Sequence, residues 1–441
     1  MATITIPGAS GATTITVTGA QTLAFAQTFA QMVHNASTFV DLSTGQTSTI
    51  NGSGQILYNV DASSQNVSIP AASSGTSDVV VFDNGPLTIQ GSGAGDLILV
   101  TGVDPRATYV DSGGNNAIGF VDGNNLYQGD TAFNAGNDTI VAGSGFDTII
   151  TGVGSSLVNS GTGDAFIVTN DGVGQAGDTV YLEGGQNIVA ANGMLDSIII
   201  GVGGQAIYAG NDTAAAVTVV ITAGGGNTIH AGGATVSIFD AAGGNSIIGG
   251  TGDLYFVAGA GITDTISNSA SGAGGGMTLY GAAGDVLTLT TLAQSNATYV
   301  AGAGAETLNG AGSAGQLVLA GDNGSDTTGA TAQTVLIGGA ANDFIQSGEG
   351  NETLTGGAGT NEFFITPPND SVAAHILISD FGSGTNDVAA FGYTPQQVQA
   401  ALQTIETVSG AFGTGVEIQF NDGTTVIFAG VTTLDGHLVN G

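Results

Sequence analysis

Hydrophobic residues recur at a period of nine in the most regular part of the chain, residues 134 to 169. This stretch consists of four units in succession: NAGNDTIVA, GSGFDTIIT, GVGSSLVNS and GTGDAFIVT. Two ladders follow the period, a turn glycine and an aliphatic residue: Gly136, Gly145, Gly154 and Gly163, and Ile140, Ile149, Val158 and Ile167. Glycine permits the backbone conformations of tight turns, and the aliphatic residue after each turn faces inward from a short strand. Because one unit cannot bury its aliphatic residue alone, the pattern predicts the stacked coils of a β-solenoid.

The nine-residue pattern continues in a looser form beyond this block. In-step units occupy residues 174 to 209 and 223 to 267, and a second strict block occupies 338 to 364. We expect the interruption at 210 to 222 to be a loop that bulges from one face. Residues 61 to 365 are therefore predicted to form an all-β fold, a parallel β-roll or β-solenoid of glycine-rich nonapeptide-like repeats.

The first 60 residues precede the repeats and follow other patterns. Polar and aliphatic residues alternate at 3 to 6 and again at 14 to 17, which predicts two short strands. Apolar residues then follow at helical spacing without glycine or proline, so we predict a helix over residues 22 to 35. A solenoid exposes its core at each end. We therefore interpret residues 1 to 60 as a cap, an anchor or a subunit contact.

The last segment, residues 366 to 441, also departs from the period of nine. Thr394 and Pro395 have the order of a helix N-cap and a first helical residue, and Gly410 is the predicted end of that helix. The following segment, GVEIQFNDGTTVIFAGV, predicts a β-hairpin joined by Asp422-Gly423. We interpret this region as a C-terminal cap that contains a helix and a hairpin.

The charge balance separates this chain from several classes of protein. Its 441 residues include 35 acidic residues and one basic residue, Arg106, with 77 glycines and no cysteine. Phosphate binding depends on Lys and Arg, so nucleic acids and anionic membranes are not expected partners. Such a chain repels itself unless hard divalent cations neutralise it through carboxylate and carbonyl ligands. It shows no transmembrane segment and no positively charged secretory signal, so we expect it to be cytoplasmic or exported through another signal.

The acids of the repeats resemble those of a known family. The calcium-binding nonad of RTX proteins is GGxGxDxUx, in which U is aliphatic, and we call the position of its aspartate the acid slot. The candidate calcium ligands at or beside this slot are Asp138, Asp147, Asp164, Asp178, Asp196, Asp264, Asp326, Asp343, Glu352 and Asn361, and Asp96 and Asp285 have similar settings. The resemblance implies that Ca²⁺ binds at these residues.

The resemblance also implies that slots eighteen residues apart share an ion, because their turns stack on the same side. The pairs are Asp138 with Ser156, Asp147 with Ala165 (next to Asp164), Asp343 with Asn361, and Asp178 with Asp196, which match best. Calcium takes six to eight oxygen ligands, and a serine or alanine slot supplies fewer. We therefore expect a limited number of calcium ions, with other turns held by hydrogen bonds of polar side chains and backbone.

The tail of the chain is similar to the C-terminal region of the same family. A last nonad ending in Phe363 and Phe364 is followed by DFGSGTND, a predicted helix, a hairpin and a short apolar end. In the family this region caps the roll and carries an uncleaved signal for type I secretion. The resemblance therefore implies a bacterial protein that type I machinery exports to the cell surface or the extracellular space.

Three functions remain open at this point. Because nearly the whole chain is repeat and cap, it is first interpreted as a self-associating, non-enzymatic structural protein of a surface layer, extracellular filament or biofilm matrix. The alternative is an adhesin or a carbohydrate-binding solenoid, with cell-surface polysaccharide as its partner. The third is an enzyme that acts on polysaccharide, because the many carboxylates permit a glycosidase pair. The four histidines are isolated in sequence, and one arginine cannot form the basic cluster that polysaccharide lyases generally use.

Overall fold

The chain divides into two compact units, unit 1 (Met1–Asn227) and unit 2 (Thr228–Gly441). Both are built from short parallel strands that stack coil upon coil. The predicted domain boundaries after residues 60 and 365 stay predictions. The computed structural model describes residues 2–8, 11–17, 27, 31, 36–41, 46–49, 55–60, 66–68, 78–82, 86–91, 95–100, 106–131, 136–170, 176–210, 213–268, 274–322, 333–369, 372–382 and 387–439.

Unit 1 begins with an antiparallel pair of strands, β1 (Ala2–Gly8) and β2 (Gly11–Val17). This pair confirms the two short strands predicted from the alternating residues. The helix predicted over residues 22 to 35 lies outside the described residues, apart from Gln27 and Gln31, which are helical and exposed.

The solenoid of unit 1 consists of two parallel sheets, because alternate strands along the chain join alternate sheets. The odd-strand sheet contains β3 (Ala36–Asp41), with the antiparallel β4 (Gln46–Thr49) beside it, β5 (Gln55–Val60), β7 (Asp78–Phe82), β9 (Asp96–Val100), β11 (Ala117–Phe120), β13 (Thr139–Val141), β15 (Leu157–Asn159), β17 (Thr179–Leu182), β19 (Ser197–Ile200) and β21 (Ala216–Ile221). The even-strand sheet contains β6 (Asn66–Ser68), β8 (Pro86–Gln90), β10 (Arg106–Val110), β12 (Leu126–Gln128), β14 (Phe146–Ile150), β16 (Asp164–Thr169), β18 (Ile188–Ala191) and β20 (Ala206–Ala209).

Unit 2 has the same construction. Its odd-strand sheet contains β23 (Thr235–Asp240), β25 (Leu254–Ala258), β27 (Met277–Tyr280), β29 (Ala297–Val300), β31 (Leu317–Ala320), β33 (Phe344–Gln346), β35 (Glu362–Ile365) and β37 (Val388–Phe391). Its even-strand sheet contains β22 (Thr228–His230), β24 (Ser246–Gly249), β26 (Thr263–Asn268), β28 (Val286–Thr290), β30 (Thr307–Asn309), β32 (Gln333–Ile337), β34 (Asn351–Thr355) and β36 (His375–Ile378). The tail adds β38 (Glu406–Gly410), β39 (Gly413–Gln419) and β40 (Thr425–Ala429).

The aliphatic ladder of the regular block forms the core between the two sheets. Ile140 lies opposite Val158 in the odd-strand sheet, and Ile149 lies opposite Ile167 in the even-strand sheet. All four side chains are fully buried. Each residue therefore stacks on the equivalent residue two nonads later, so successive nonads form the two halves of one coil. This register confirms the predicted parallel β-solenoid.

One predicted loop is in part a strand. Within residues 210 to 222, β21 pairs in parallel with β19. Its residues Val217, Val219 and Ile221 are buried. The period-two alternation of AVTVVI supplies an inward face, which this coil needs to continue the sheet. The loop prediction was wrong for this segment.

The tail confirms the predicted helix start and corrects its end. Helix α1 (Pro395–Ala401) has Thr394 as N-cap in a complete capping box. The chain then makes one 3₁₀ turn that ends at Thr404, so the helix does not extend to Gly410. The Thr404 hydroxyl accepts a hydrogen bond from the backbone N–H of Gln419 (2.8 Å), which ties the turn to β39. Residues after it pair with β39 as strand β38.

The predicted hairpin is confirmed. Strands β39 and β40 are antiparallel, and Gly423 in the turn between them has a φ of 94°, a conformation that favours glycine. Strand β40 also lies parallel to β36. The hairpin therefore continues the even-strand sheet of unit 2 and covers the edge that the last coil would leave open.

Candidate calcium sites at the acid slots

The acid slots lie at the corners of the coils, where their side chains accept hydrogen bonds from backbone N–H groups of a neighbouring coil. The Oδ1 atom of Asp138 accepts the backbone N–H of Asn116 in the preceding coil (2.8 Å). Asp147 accepts that of Asn125 in the same way (3.0 Å). We call this series of hydrogen bonds, from a backbone N–H of one coil to the slot side chain of the next, the slot ladder. It recurs at other slots, where the first residue of each pair accepts the backbone N–H of the second: Asp178 with Ser156, Asp196 with Asp178, Asp264 with Asn245, Asp343 with Leu317, and Asn361 with Asp343. The slot residue therefore closes the corner whether it is an acid or an amide.

Most of the predicted ligands are buried. The side chains with 0 to 2% exposure are Asp138, Asp147, Asp178, Asp196, Asp264, Asp343, Glu352 and Asn361. Asp164 is exposed and accepts the backbone N–H of Gln186 (2.7 Å). Asp326 lies outside the described residues. The structure thus places the slot acids inside the corners, with Asp164 on the surface.

The best sequence pair, Asp178 and Asp196, is stacked as predicted, but protein donors occupy its oxygens. Besides the ladder bonds, Asp178 Oδ2 accepts the hydroxyl of Thr151 (2.5 Å). Asp196 Oδ2 accepts the hydroxyl of Thr169 (2.5 Å) and the N–H of Gly193 (3.0 Å). An ion at this pair would have to displace these donors. The assignment of calcium to particular slots therefore stays a prediction.

Burial changes the acidity of the slot carboxyls, because little water remains to solvate a charge. It raises the pKa of Asp138 and of Asp147 to about 6. It raises the pKa of Asp264 to about 7, with the nearby Asp240 as a further cause, and that of Glu352 to about 8. These carboxyls hold protons in mildly acidic solution. A positive ion at neutral pH would take over the role of those protons.

The two units differ in how completely the slot carboxylates are hydrogen-bonded. Among the described residues of unit 1, each buried carboxylate oxygen has a partner. In unit 2, several buried slot carboxylates have one oxygen that makes no hydrogen bond. Examples are Asp285 Oδ1, Glu306 Oε1, Glu352 Oε2 and Asp387 Oδ2. A buried carboxylate oxygen without a partner is costly. These carboxylate oxygens suit calcium, a hard cation that prefers carboxylate and carbonyl oxygens as ligands.

Buried tyrosines are a second feature of the corners, and they were not predicted. Tyr109 donates to Asp96 Oδ2 (3.1 Å), and Tyr299 donates to Glu306 Oε2 (2.9 Å). Tyr127 donates to Asp138 Oδ2 (2.5 Å) in the same manner. Burial raises the pKa of all three phenols, so they stay neutral donors. The tetrad Ala-Thr-Tyr-Val, which occurs at 107 to 110 and 297 to 300, was the available sequence signal.

Sequence reasoning also missed several slot carboxylates, of which Glu306 and Asp387 are examples. Glu306 lies in GAGAETL, a GxGxDxU unit with glutamate in place of aspartate, so a less strict slot would have found it. Asp387 follows GSGTN, which is one residue longer than the pattern. Among the residues that the structure describes, no three His, Asp or Glu side chains form a group that could hold a metal. Backbone or water oxygens would have to complete any ion's shell.

These features define a repeat β-solenoid whose corners carry buried carboxylates, some of them with an oxygen that has no hydrogen-bond partner. The model of the RTX calcium-binding nonapeptide repeat matches the chain in four copies, at residues 134–167 and 328–363. The chain therefore carries RTX repeats, which confirms the family resemblance, and Ca²⁺ is the ion that such repeats bind. RTX repeat proteins are typically secreted bacterial proteins. No curated protein matches this chain. Among the described residues, no helix is long and apolar enough to cross a membrane.

Proposed function

We propose that this is a secreted, non-enzymatic, calcium-binding structural protein whose solenoids assemble into a surface layer, an extracellular filament or a biofilm matrix. The supporting observation is the outward face of the odd-strand sheet of unit 2. Phe239, Tyr255, Tyr280 and Val318 are 36 to 46% exposed on it. From β23 to β33, the described outward positions carry no charged residue. That absence is notable in a chain with a net charge of −34.

Two of these residues, Phe239 and Tyr280, line up with half-buried valines in a row across the strands. Phe239 lies opposite Val257, Val257 lies opposite Tyr280, and Tyr280 lies opposite Val300. Neighbouring strands are about 4.8 Å apart, so the row forms a continuous apolar strip along the sheet. Contiguous exposed apolar surface of this kind marks an interaction site.

A second copy of the chain is the partner that this face suits best. A sheet face without charge can approach an identical face without repulsion, whereas the acidic surface elsewhere repels it. Calcium bound at the corners reduces that repulsion and stabilises the folded coils by mass action. Extracellular calcium modules bind with dissociation constants of roughly 10⁻⁴ to 10⁻³ M. Assembly is therefore expected outside the cell, where calcium is at the upper end of that range.

The assembly is tested with purified protein by light scattering and electron microscopy, with calcium or with EDTA. We expect particles that grow with calcium and disperse with EDTA. Tyr280→Asp places a charge on the face and should prevent growth. Val286→Asp is the matched control, because Val286 is 40% exposed but lies on the even-strand sheet. A chain that stays monomeric at high concentration with calcium, or equal behaviour of the two variants, would refute the proposal.

An adhesin or carbohydrate-binding role is the second candidate, and one observation favours it. The tyrosines Tyr255 and Tyr280 stand exposed on the same uncharged face. Flat aromatic rings with a polar edge suit stacking on a neutral sugar. Binding of the calcium-loaded chain on a glycan array, lost in Tyr280→Ala, would support this function. Binding to no glycan on such an array would count against it.

We also propose that type I machinery exports the chain through a signal in residues 366 to 441. The RTX repeats support this route, and the unpaired charges of calcium-free slots would keep the chain transportable inside the cell. Deleting the residues after 366 should leave the protein in the cell, as measured by immunoblots of cells and medium. The full-length chain is the control. Normal export of the deleted form would contradict the assignment.

A further inference from the structure

The even-strand sheet of unit 1 carries an apolar outward surface that contact through unit 2 would leave uncovered. We call the outward positions of β12, β14, β16, β18 and β20 the unit 1 face. Its most exposed residues are Phe146 (50%), Tyr208 (46%) and Ile188 (43%). Its other outward residues are half-buried and aliphatic or aromatic, apart from Gln128, Thr148 and Asp164. The face is therefore larger than its exposed residues alone.

The residues of the unit 1 face lie in adjacent rows that run across the strands. In one row, Phe166 lies opposite Ile188. In the next row, Val168 lies opposite Ala190, and Ala190 lies opposite Tyr208. Strands are about 4.8 Å apart, and residues two apart along a strand are separated by roughly 6.6 Å. The rows therefore form one continuous apolar patch, which marks an interaction site.

Charge is almost absent from this patch. Among the described outward positions from β12 to β20, the only charged residue is Asp164, the first residue of β16. The chain as a whole has a net charge of −34. Two copies of such a chain repel each other wherever their acids meet. They can approach most closely through a surface that lacks charge, as this one does.

The fold itself does not require apolar residues at these positions. The even-strand sheet of unit 2 has the same construction, but hydroxyl and amide side chains follow its outward row. Thr228 lies opposite Ser246, Ser246 opposite Thr265, and Thr265 opposite Thr288. Thr288 lies opposite Asn309. Polar residues thus serve on the outside of equivalent coils, so the apolar residues of the unit 1 face indicate a contact.

A single self-pairing face limits an assembly to two chains. When a sheet face pairs with the identical face of another copy, both faces are covered and the dimer is closed. The odd-strand face of unit 2 would therefore give only dimers by itself. Growth into a layer or a filament requires a second contact surface on the same chain.

We propose that the unit 1 face is this second surface and that it binds the unit 1 face of another copy of the chain. The inference rests on the proposed function and gives it a geometry. Each chain contacts two neighbours, one through each unit, so the assembly is open-ended. Both contacts are apolar, so added salt, which screens the repulsion between acidic surfaces, should strengthen them.

Analytical ultracentrifugation of the calcium-loaded protein tests the second surface. The natural chain should form large particles, whereas Ile188→Asp, which places a charge in the unit 1 face, should stop at dimers joined through unit 2. Tyr208→Asp, in the neighbouring row, should do the same. Val286→Asp is the matched control, because Val286 is an aliphatic residue of similar exposure (40%) on the even-strand sheet of unit 2. Particles of Ile188→Asp as large as those of Val286→Asp would overturn the proposal.

Further variants separate this inference from the proposed function. Tyr280→Asp should keep dimers that form through unit 1, and Ile188→Asp combined with Tyr280→Asp should be monomeric. Growth of Ile188→Asp but not of Tyr280→Asp would make the inference wrong and leave the structural role intact. A natural chain that forms only dimers, which Ile188→Asp abolishes, would support the contact and refute the layer or filament.

Phosphatidylcholine vesicles test the other surface that an apolar face could meet. We expect the natural chain and Ile188→Asp to stay unbound when vesicles are sedimented. If the natural chain binds them and Ile188→Asp does not, while both have the same state of association, the face binds lipid and the proposal is wrong. Circular dichroism checks that all variants are folded.

Discussion

Replacing Glu352 with glutamine should stabilise the calcium-free protein at alkaline pH far more than at acidic pH. Glu352 is 2% exposed. Its Oε1 accepts the backbone N–H of Gly348 (2.8 Å), while Oε2 has no partner. Burial, with the nearby Asp322 as a further cause, raises its pKa from 4.5 to about 8. Glutamine keeps the acceptor for Gly348 and cannot become charged.

The sign and size of the effect follow from proton linkage. The folded state binds the proton more tightly than the unfolded chain, so the stability that Glu352 contributes is complete below pH 4.5 and is lost as the pH rises towards about 8. A pKa difference of this size corresponds to a loss on the order of 4 kcal/mol at pH 8, and of about 1 kcal/mol at pH 5.5. Glu352→Gln avoids this loss, so its advantage over the natural chain should grow by about 3 kcal/mol between the two pH values.

Urea unfolding followed by circular dichroism, in EDTA at both pH values, measures the difference. Glu362→Gln is the control for removing one negative charge, because Glu362 is exposed on β35. A Glu352→Gln chain that is less stable than the natural one by the same amount at both pH values would refute the reasoning. Such a result would mean that the carboxylate contributes through a contact and not through its proton.

Gly136→Ala should destabilise unit 1 by at least about 2 kcal/mol, because its Cβ would collide with the carbonyl group of Gly114. Gly276→Ala, whose Cβ would have no neighbour within 3.4 Å, is the control, and equal melting temperatures would contradict the close approach of the coils. Asn116→Asp should lower the free energy of unfolding by about 3 kcal/mol at neutral pH and by less in acid, because it places a second carboxylate beside Asp138. If urea titrations show a loss of stability that does not change with pH, charge repulsion is excluded as its cause. Calcium at about ten times its dissociation constant should raise the free energy of unfolding by about 1.4 kcal/mol. A melting temperature that changes with neither calcium nor EDTA would contradict this stabilisation by bound calcium.

The period of nine was sufficient to predict the buried core, because a shift by one residue would turn Ile140 and its equivalents to the solvent. The stacking of residues eighteen apart was implied by the family resemblance, and the pairing of Ile140 with Val158 confirms it. Local chemistry was equally decisive at Thr394, where a hydroxyl before proline caps a helix, and at Asp422-Gly423, where the turn needs a positive φ. These features depend on neighbours in sequence or on a fixed repeat.

The tertiary structure alone decided which carboxylates keep an unpaired oxygen. Asp178 and Asp196 match the repeat pattern best, yet hydroxyl groups 27 residues away satisfy them. Asp285 and Glu306 each keep one buried oxygen without a hydrogen-bond partner, although the other oxygen of Glu306 accepts the hydroxyl of Tyr299. Coil lengths vary outside the regular block, so sequence spacing no longer indicates which side chains meet. Hydrogen-bond donors and charges from different coils combine only when the parallel strands fix the register, and their balance determines where a cation is needed.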